Sequence, residues 1–169
     1  MDRDQATVVM ASPAAAVPSA PRIALRPHNA LPWLLMPQGV ALEVLIDASA
    51  VRVPNTNAWF NGVVNQRGNL LPTFDLALWA GLQPANDRPR QIVVVGLESR
   101  FFGVLSEATP ALLRIEGTRG HHAEYTGPLS PYLSLAQADS DIEAYEFDAS
   151  AWLSRVSQDI SRAGGIVQA

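Results

Sequence analysis

The stretch of sequence that decides the fold runs from Gly62 to Leu76 and reads GVVNQRGNLLPTFDL. Two short apolar runs flank a polar segment, Gln66 to Asn69, in which Gly68 and Asn69 can both adopt positive φ angles. This pattern predicts a strand, a tight turn and a second strand, with Arg67 projecting from the tip of the hairpin. An ordinary hairpin with a solvated arginine has the same pattern, so the stretch alone does not establish a binding site.

Similar apolar runs recur along most of the chain, separated by Gly, Pro, Asn or Asp. Most are short and rich in β-branched or aromatic residues, which is typical of strands. The predicted strands are residues 31–36, 40–46, 60–65, 70–74, 92–95, 101–105, 112–115, 132–135 and 142–147. A short helical turn is predicted at residues 76–79. Many short strands at such spacing predict an all-β sandwich or barrel fold rather than a parallel α/β sheet.

The last part of the chain differs because its apolar residues have helical spacing. Trp152, Val156 and Ile160 would lie on one face of a helix. Ser150 is the predicted N-cap, and the glycine pair at 164–165 is predicted to end the helix. We therefore expect an all-β domain followed by a C-terminal helix.

The overall composition limits the classes of function that the chain can have. The 169 residues are 48% hydrophobic and 17% charged, which favours a folded domain with its own core. No cysteine is present, which excludes disulfides, thiolate zinc sites and cysteine nucleophiles. The net charge of −4 and the absence of lysine argue against nucleic acid as a partner.

The N-terminal segment has a different composition from the rest of the chain. Residues 1–22 are rich in Ala, Pro and Ser, and we predict that they form a flexible tail ahead of a single domain over residues 23–169. No run of residues approaches the roughly 20 apolar positions that a membrane span requires. The sequence therefore predicts a cytoplasmic protein without direct membrane insertion.

The sequence gives no positive evidence for catalysis. It contains no nucleophile elbow, phosphate-binding glycine-rich loop or zinc-protease helix motif. His121 and His122, with Glu124 nearby, fall between glycines, where we expect solvated loop histidines rather than a metal site. The segment 117–120 resembles the backbone-clamping loop of KH domains but lacks the flanking helices. We predict no enzymatic activity, no metal and no cofactor.

A resemblance to a known family gives the central stretch more weight. The signature of CheW-like domains is similar to Gly62-Val63-Val64-Asn65-Gln66-Arg67-Gly68, followed by Leu71-Pro72 and Asp75-Leu76. Further matches are residues 33–37, Glu43-Val44, Val53-Pro54, Ala80-Gly81, residues 92–95 and residues 102–105. The resemblance covers roughly residues 23–153. The chain departs from the family at Ser106-Glu107-Ala108 and at Pro27 and Pro32.

The resemblance implies both a fold and a function. The family fold consists of two SH3-like five-stranded β-barrel subdomains that share a core. Such proteins are non-catalytic adapters that bind the regulatory domain of a CheA-type histidine kinase and the cytoplasmic tip of a methyl-accepting chemoreceptor. The RGNLLP form of the motif at residues 67–72 resembles the PilI type of adapter, which belongs to the chemosensory systems of type IV pili and acts in twitching motility.

The resemblance also implies two sets of contact residues. The kinase-binding set consists of Glu43, Val44 and Gly62. The receptor-binding set consists of Arg67, Gly68, Phe101 and Phe102. Because neighbouring residues on a strand face opposite sides of a sheet, at least one of the two phenylalanines is expected in the core. Asp75 is expected to be structural, accepting backbone N–H groups.

Two other functions remain open from the sequence. The chain could be a different SH3-like or OB-like module that binds a peptide outside chemosensory signalling, or an enzyme of unknown type. A pocket with convergent polar groups and perturbed acids would favour the enzyme. The sequence does not choose between a flagellar and a pilus pathway.

Overall fold

The computed structural model describes residues 20–83, 90–97, 99–115, 125–136 and 142–164. The strands in these ranges are β1 (Arg22–Leu25), β2 (Trp33–Leu35), β3 (Ala41–Leu45), β4 (Phe60–Gln66), β5 (Asn69–Phe74), β6 (Gln91–Leu97), β7 (Arg100–Ser106), β8 (Ala111–Leu113), β9 (Leu133–Leu135) and β10 (Ala144–Phe147). The helices are α1 (Leu76–Trp79) and α2 (Ala149–Gly164), and a 3-10 turn lies at Ser130–Tyr132. Residues 1–19 of the predicted tail, His121 and His122, the 117–120 segment and Gly165 lie outside the described residues.

The strands form two five-stranded sheets, the number of strands that the family resemblance implies. The first sheet has the order β8-β1-β2-β10-β9, and the second has the order β3-β6-β7-β5-β4. Neighbouring strands are antiparallel except for two parallel pairs, β2 with β10 and β5 with β7. In the described residues no ladder joins the two end strands of either sheet, so the sheets are not closed barrels. The predicted all-β class with a C-terminal helix is confirmed.

The hairpin between β4 and β5 has a two-residue turn. Gln66 pairs with Asn69, which leaves Arg67 (φ 52°) and Gly68 (φ 86°) as the central residues. The prediction of a positive φ angle is therefore right for Gly68 and wrong for Asn69, whose place is taken by Arg67. Two central residues with positive φ give the turn a twist that matches the right-handed twist of the strands. The side-chain oxygen of Asn65 accepts the N–H of Gly68 at 3.0 Å and fixes the turn.

The main core lies between the two sheets and is completed by α2. Trp152 is fully buried at its centre. Its ring contacts Phe74 of the second sheet at 5.4 Å between centroids, Phe147 of the first sheet at 6.0 Å and Trp79 of α1 at 6.1 Å. Because one side chain of α2 packs against both sheets and against α1, the two sheets share a core.

Helix α2 begins earlier than the sequence indicates. Its first residue is Ala149, and the N–H of Ala151 donates to the Asp148 carboxylate at 2.9 Å. Asp148 is therefore the N-cap, and the prediction of Ser150 was wrong. The N-cap side chain must lie one residue before the first helical residue, and Ser150 is already inside the helix.

Asp75 has the structural role that was expected. It is buried, it caps α1 by accepting the N–H of Leu78 at 3.0 Å, and it forms an ion pair with Arg90. The ion pair joins the end of β5 to the residue just before β6. Asp75 thus fixes the chain where it leaves the central hairpin.

Candidate interaction groove

A groove of about 650 Å³ opens on the second sheet, between β3, the tip of the β4–β5 hairpin and the start of β7. The residues that line it include Glu43, Gln66, Arg67, Leu70, Gly96 and Phe101. Three of the predicted site residues, Glu43, Arg67 and Phe101, therefore lie together. The family resemblance assigns Glu43 to the kinase-binding set, and Arg67 and Phe101 to the receptor-binding set.

An ionic contact spans one end of this interaction groove. Arg67 donates to one Glu43 carboxylate oxygen at 3.0 Å, and the Gln66 side chain donates to the other at 2.9 Å. These bonds connect β3 to the tip of the β4–β5 hairpin. β3 and β4 are the two end strands of the second sheet, and within the described residues no backbone ladder pairs them. The Arg67 side chain is 80% exposed. A pair this exposed contributes only about 0–1 kcal/mol to stability, so a partner can displace it at little cost.

Apolar side chains stand beside this ion pair in contact with solvent. Leu70 is 77% exposed and Phe101 is 57% exposed. A Cβ at position 96 would lie 2.9 Å from the Phe101 ring, so the glycine allows the ring to lie against strand β6. Large exposed apolar groups next to an arginine are the composition expected of a protein-binding surface.

Phe102 does not belong to this surface. It is fully buried and contacts Phe74 at 6.2 Å and Trp152 at 6.0 Å between ring centroids. The expectation that at least one of the two phenylalanines packs in the core is met by Phe102. Its assignment as a receptor contact is corrected accordingly, because a side chain without exposed area cannot reach a partner.

Three other predicted contact residues lie outside the groove. Val44 follows Glu43 on the strand and is half-buried against the main core on the opposite face. Gly62 has a φ of 126°, and a Cβ there would overlap the carbonyl oxygen of Val51, which pairs with β4 at that point. Gly68 is exposed in the hairpin turn with open space around it.

Sequence reasoning missed Leu70 and Gly96 as groove residues. The adjacent pair Leu70-Leu71 contained a signal for the first, since only one of two neighbouring strand residues can face the core. Leu71 is buried, which leaves Leu70 in solvent. No comparable signal pointed to Gly96, because its role depends on the cross-strand pairing with Phe101.

Two features are absent from the described residues. No three or more His, Asp or Glu side chains gather there in a way that could hold a metal ion. No helix in this part of the chain is long and apolar enough to cross a membrane. What the groove presents is an exposed ion pair with apolar neighbours.

Two five-stranded sheets around one core, with an exposed apolar and ionic groove, define a small all-β interaction domain. The chain belongs to the CheW-like domain family, whose model matches residues 36–135. The predicted family membership is confirmed.

Known relatives and a solved structure agree with this membership. The chain is 33% identical over 67 residues to a probable chemotaxis protein CheW of Rhizobium etli, a match that covers 39% of this chain and 43% of that protein. It is 35% identical over 68 residues to the protein PilI of Pseudomonas aeruginosa, covering 39% of this chain and 38% of PilI. The chain thus matches less than half the length of either relative.

The fold is similar to that of a scaffolding protein, TtCheW from Thermoanaerobacter tengcongensis. The TM-score is 0.59 at 18% sequence identity, and the match covers 78% of this chain and 90% of that structure. At this identity the similarity establishes the shared fold.

Proposed function

We propose that this chain is a non-catalytic adapter that couples a methyl-accepting chemoreceptor to a CheA-type histidine kinase in the cytoplasm. The observation that carries the proposal is the interaction groove, in which Leu70 and Phe101 stand exposed beside the Glu43–Arg67 ion pair. Membership of the CheW-like family and the fold shared with a scaffolding protein support it. The matches to a chemotaxis protein and to PilI support a role in flagellar chemotaxis or in twitching motility.

The groove is proposed as the receptor-binding surface. An amphipathic helix binds a groove by placing apolar anchors in it, and here Leu70 and Phe101 would contact those anchors. Arg67 is placed to exchange Glu43 for a carboxylate on the incoming helix. Because the existing ion pair is solvent-exposed, this exchange has a small electrostatic cost.

The kinase-binding surface is proposed around Gly62 and the segment that crosses it. Gly62 allows the backbone of Val51 to approach β4 closely. Val51, Val53 and Ile46 are exposed by 73%, 40% and 85%, respectively. Three exposed apolar side chains within one short segment fit a contact with another β-domain, such as the regulatory domain of the kinase. Val44, which packs against the main core, would support the sheet rather than make contact.

Affinity measurements on surface variants test the proposal. Phe101→Ala and Arg67→Glu should each weaken binding of a receptor cytoplasmic fragment by about tenfold or more while leaving the affinity for the kinase regulatory domain unchanged. Val51→Asp should have the opposite selectivity. Leu112→Ala is the matched control, because Leu112 is exposed on the first sheet, away from both surfaces. Unchanged receptor affinity in both groove variants would contradict the proposal.

A further inference from the structure

A second groove, of about 390 Å³, lies on the first sheet and has no role in the proposed adapter function. We call it the aromatic groove, after the Trp33 and Tyr125 rings that line it together with Arg26, Asn29, Pro32, Ile142 and Glu143. Both aromatic residues are half-buried, so each ring presents part of its surface to solvent. The lining therefore combines two aromatic rings with the polar groups of Arg26, Asn29 and Glu143.

The side chains of the aromatic groove are held in place by the protein itself. The Arg26 guanidinium donates to the backbone oxygens of Leu31 at 3.0 Å and Asn29 at 2.6 Å. The same group lies 6.0 Å from the centre of the Trp33 ring, within range of a cation–π contact. A groove whose walls are already ordered loses little conformational entropy when it binds a ligand.

Tyr125 is fixed on the other wall of the groove. Its backbone N–H donates to the Tyr145 hydroxyl at 2.9 Å, and the two rings meet edge to face at 6.4 Å. Burial raises the pKa of the Tyr125 phenol above its usual value of 10. Tyr125 therefore presents a neutral ring at physiological pH.

The chain carries a segment whose chemistry suits such a groove. Residues 13–18 read PAAAVP and contain no charged side chain. Alanine- and proline-rich segments favour the extended polyproline II conformation, and aromatic-lined grooves of SH3-like folds recognise that conformation. The interaction groove is a poorer match for this segment because one aromatic ring, Phe101, lines it, whereas two rings line the aromatic groove.

The segment can reach the aromatic groove within one molecule. Ala20 and Pro21 are solvent-exposed, and β1 then runs from Arg22 towards the groove residue Arg26. That path along the strand is roughly 13 Å at about 3.3 Å per residue. Residues 13–22 in polyproline II conformation span about 28 Å at about 3.1 Å per residue. A tethered segment also has an effective concentration in the millimolar range, so weak contacts suffice.

We propose that the aromatic groove binds the segment 13–18 of its own chain. Pro13 or Pro18 would stack on the Trp33 and Tyr125 rings, while the alanines between them allow close approach. The N-terminal region is then a built-in ligand that covers this part of the first sheet. This inference stands independently of the adapter function.

Disulfide trapping tests the proposal directly, because the natural chain has no cysteine. The test pair is Ala15→Cys with Asn29→Cys, whose exposed side chain lines the groove. The control pair is Ala15→Cys with Leu112→Cys. Leu112 is also exposed, and it lies beside Ile23 in the β1–β8 pairing, closer to the start of the segment. An undirected segment would therefore crosslink to Leu112→Cys at least as readily.

We expect the test pair to form a crosslink within one chain at least about tenfold faster than the control pair. Adding Pro13→Ala and Pro18→Ala should reduce its rate to that of the control, because the two prolines are the proposed stacking groups. Equal rates for the two pairs, or no effect of the proline changes, would overturn the proposal. Crosslinks between two chains at low protein concentration would also overturn it, since the occupant would then be a second copy.

Discussion

At the scale of single residues, the neighbouring phenylalanines at the start of β7 have opposite environments. Phe102→Ala should lower the free energy of unfolding by about 3–5 kcal/mol, because it empties a site packed against Phe74 and Trp152. Phe101→Ala should cost less than about 1 kcal/mol, because its ring is largely in solvent. Urea denaturation of both variants checks this assignment. Equal losses of stability would contradict it.

The glycines at positions 62 and 39 form a second matched pair. Both have positive φ, 126° and 81°, but only Gly62 lies against another segment of backbone. Gly39→Ala should lower the free energy of unfolding by about 1–2 kcal/mol, because alanine is strained in this left-handed conformation. Gly62→Ala should cost about 1–3 kcal/mol more, because the new methyl group overlaps the Val51 carbonyl. Chemical denaturation measures the difference, and a Gly62→Ala variant as stable as the Gly39→Ala variant would refute this account.

The sequence predicts the structural role of a residue where that role depends on its neighbours along the chain. It predicts Arg67 at a hairpin tip and a structural Asp75 that accepts backbone N–H groups, because turns and local hydrogen bonds depend on near neighbours. It could not say which of Phe101 and Phe102 faces outward. That choice depends on the phase of the strand, which cross-strand pairing with Gly96 and Val95 decides.

At the scale of elements, the N-cap of α2 is the clearest case for a mutational test. Asp148→Ala should lower the free energy of unfolding by about 1 kcal/mol, since the N–H of Ala151 loses its acceptor. Ser150→Ala should change it by less than about 0.5 kcal/mol, because Ser150 is an exposed residue of the first turn. Thermal unfolding of the two variants gives the comparison. A larger loss of stability for Ser150→Ala than for Asp148→Ala would show that Ser150 is the N-cap, as the sequence predicts.

Strand β1 was absent from the strands that the sequence predicts. It has only four residues, starts with Arg22 and is followed closely by Pro27, so its local pattern is weak. Its stability comes from distant partners: β8 and β2 pair with its two edges, and Arg22 bonds to Glu146 and to the backbone oxygen of Met36. Short strands held by long-range contacts are where local reasoning fails.

At the scale of the whole molecule, the shared core should make the two sheets unfold together. Trp152 contacts side chains of both sheets and of α1, so neither sheet keeps its buried surface if the other opens. We expect one transition, with far-ultraviolet circular dichroism and tryptophan fluorescence changing at the same urea concentration. Two separated transitions would show that the sheets are independent domains.

The strand spacing predicted many short strands and no α/β sheet, and the family resemblance supplied the division into two five-stranded units. The partners of each strand were beyond local reasoning. β2 pairs in parallel with β10, so the first sheet joins strands from both ends of the domain, while the strands of the second sheet lie between β2 and β8 in the sequence. Such pairings are decided by the packing of the whole chain.

The central claim is that this domain joins a receptor to a kinase through separate surfaces. The most direct measurement is co-purification of a chemoreceptor cytoplasmic fragment with an immobilised regulatory domain of a CheA-type kinase, with and without this chain. We predict that the fragment is retained only when the chain is present, and that Phe101→Ala with Arg67→Glu abolishes retention of the fragment while the chain itself stays bound. Retention of the fragment without the chain, or undiminished retention with the double variant, would contradict the claim.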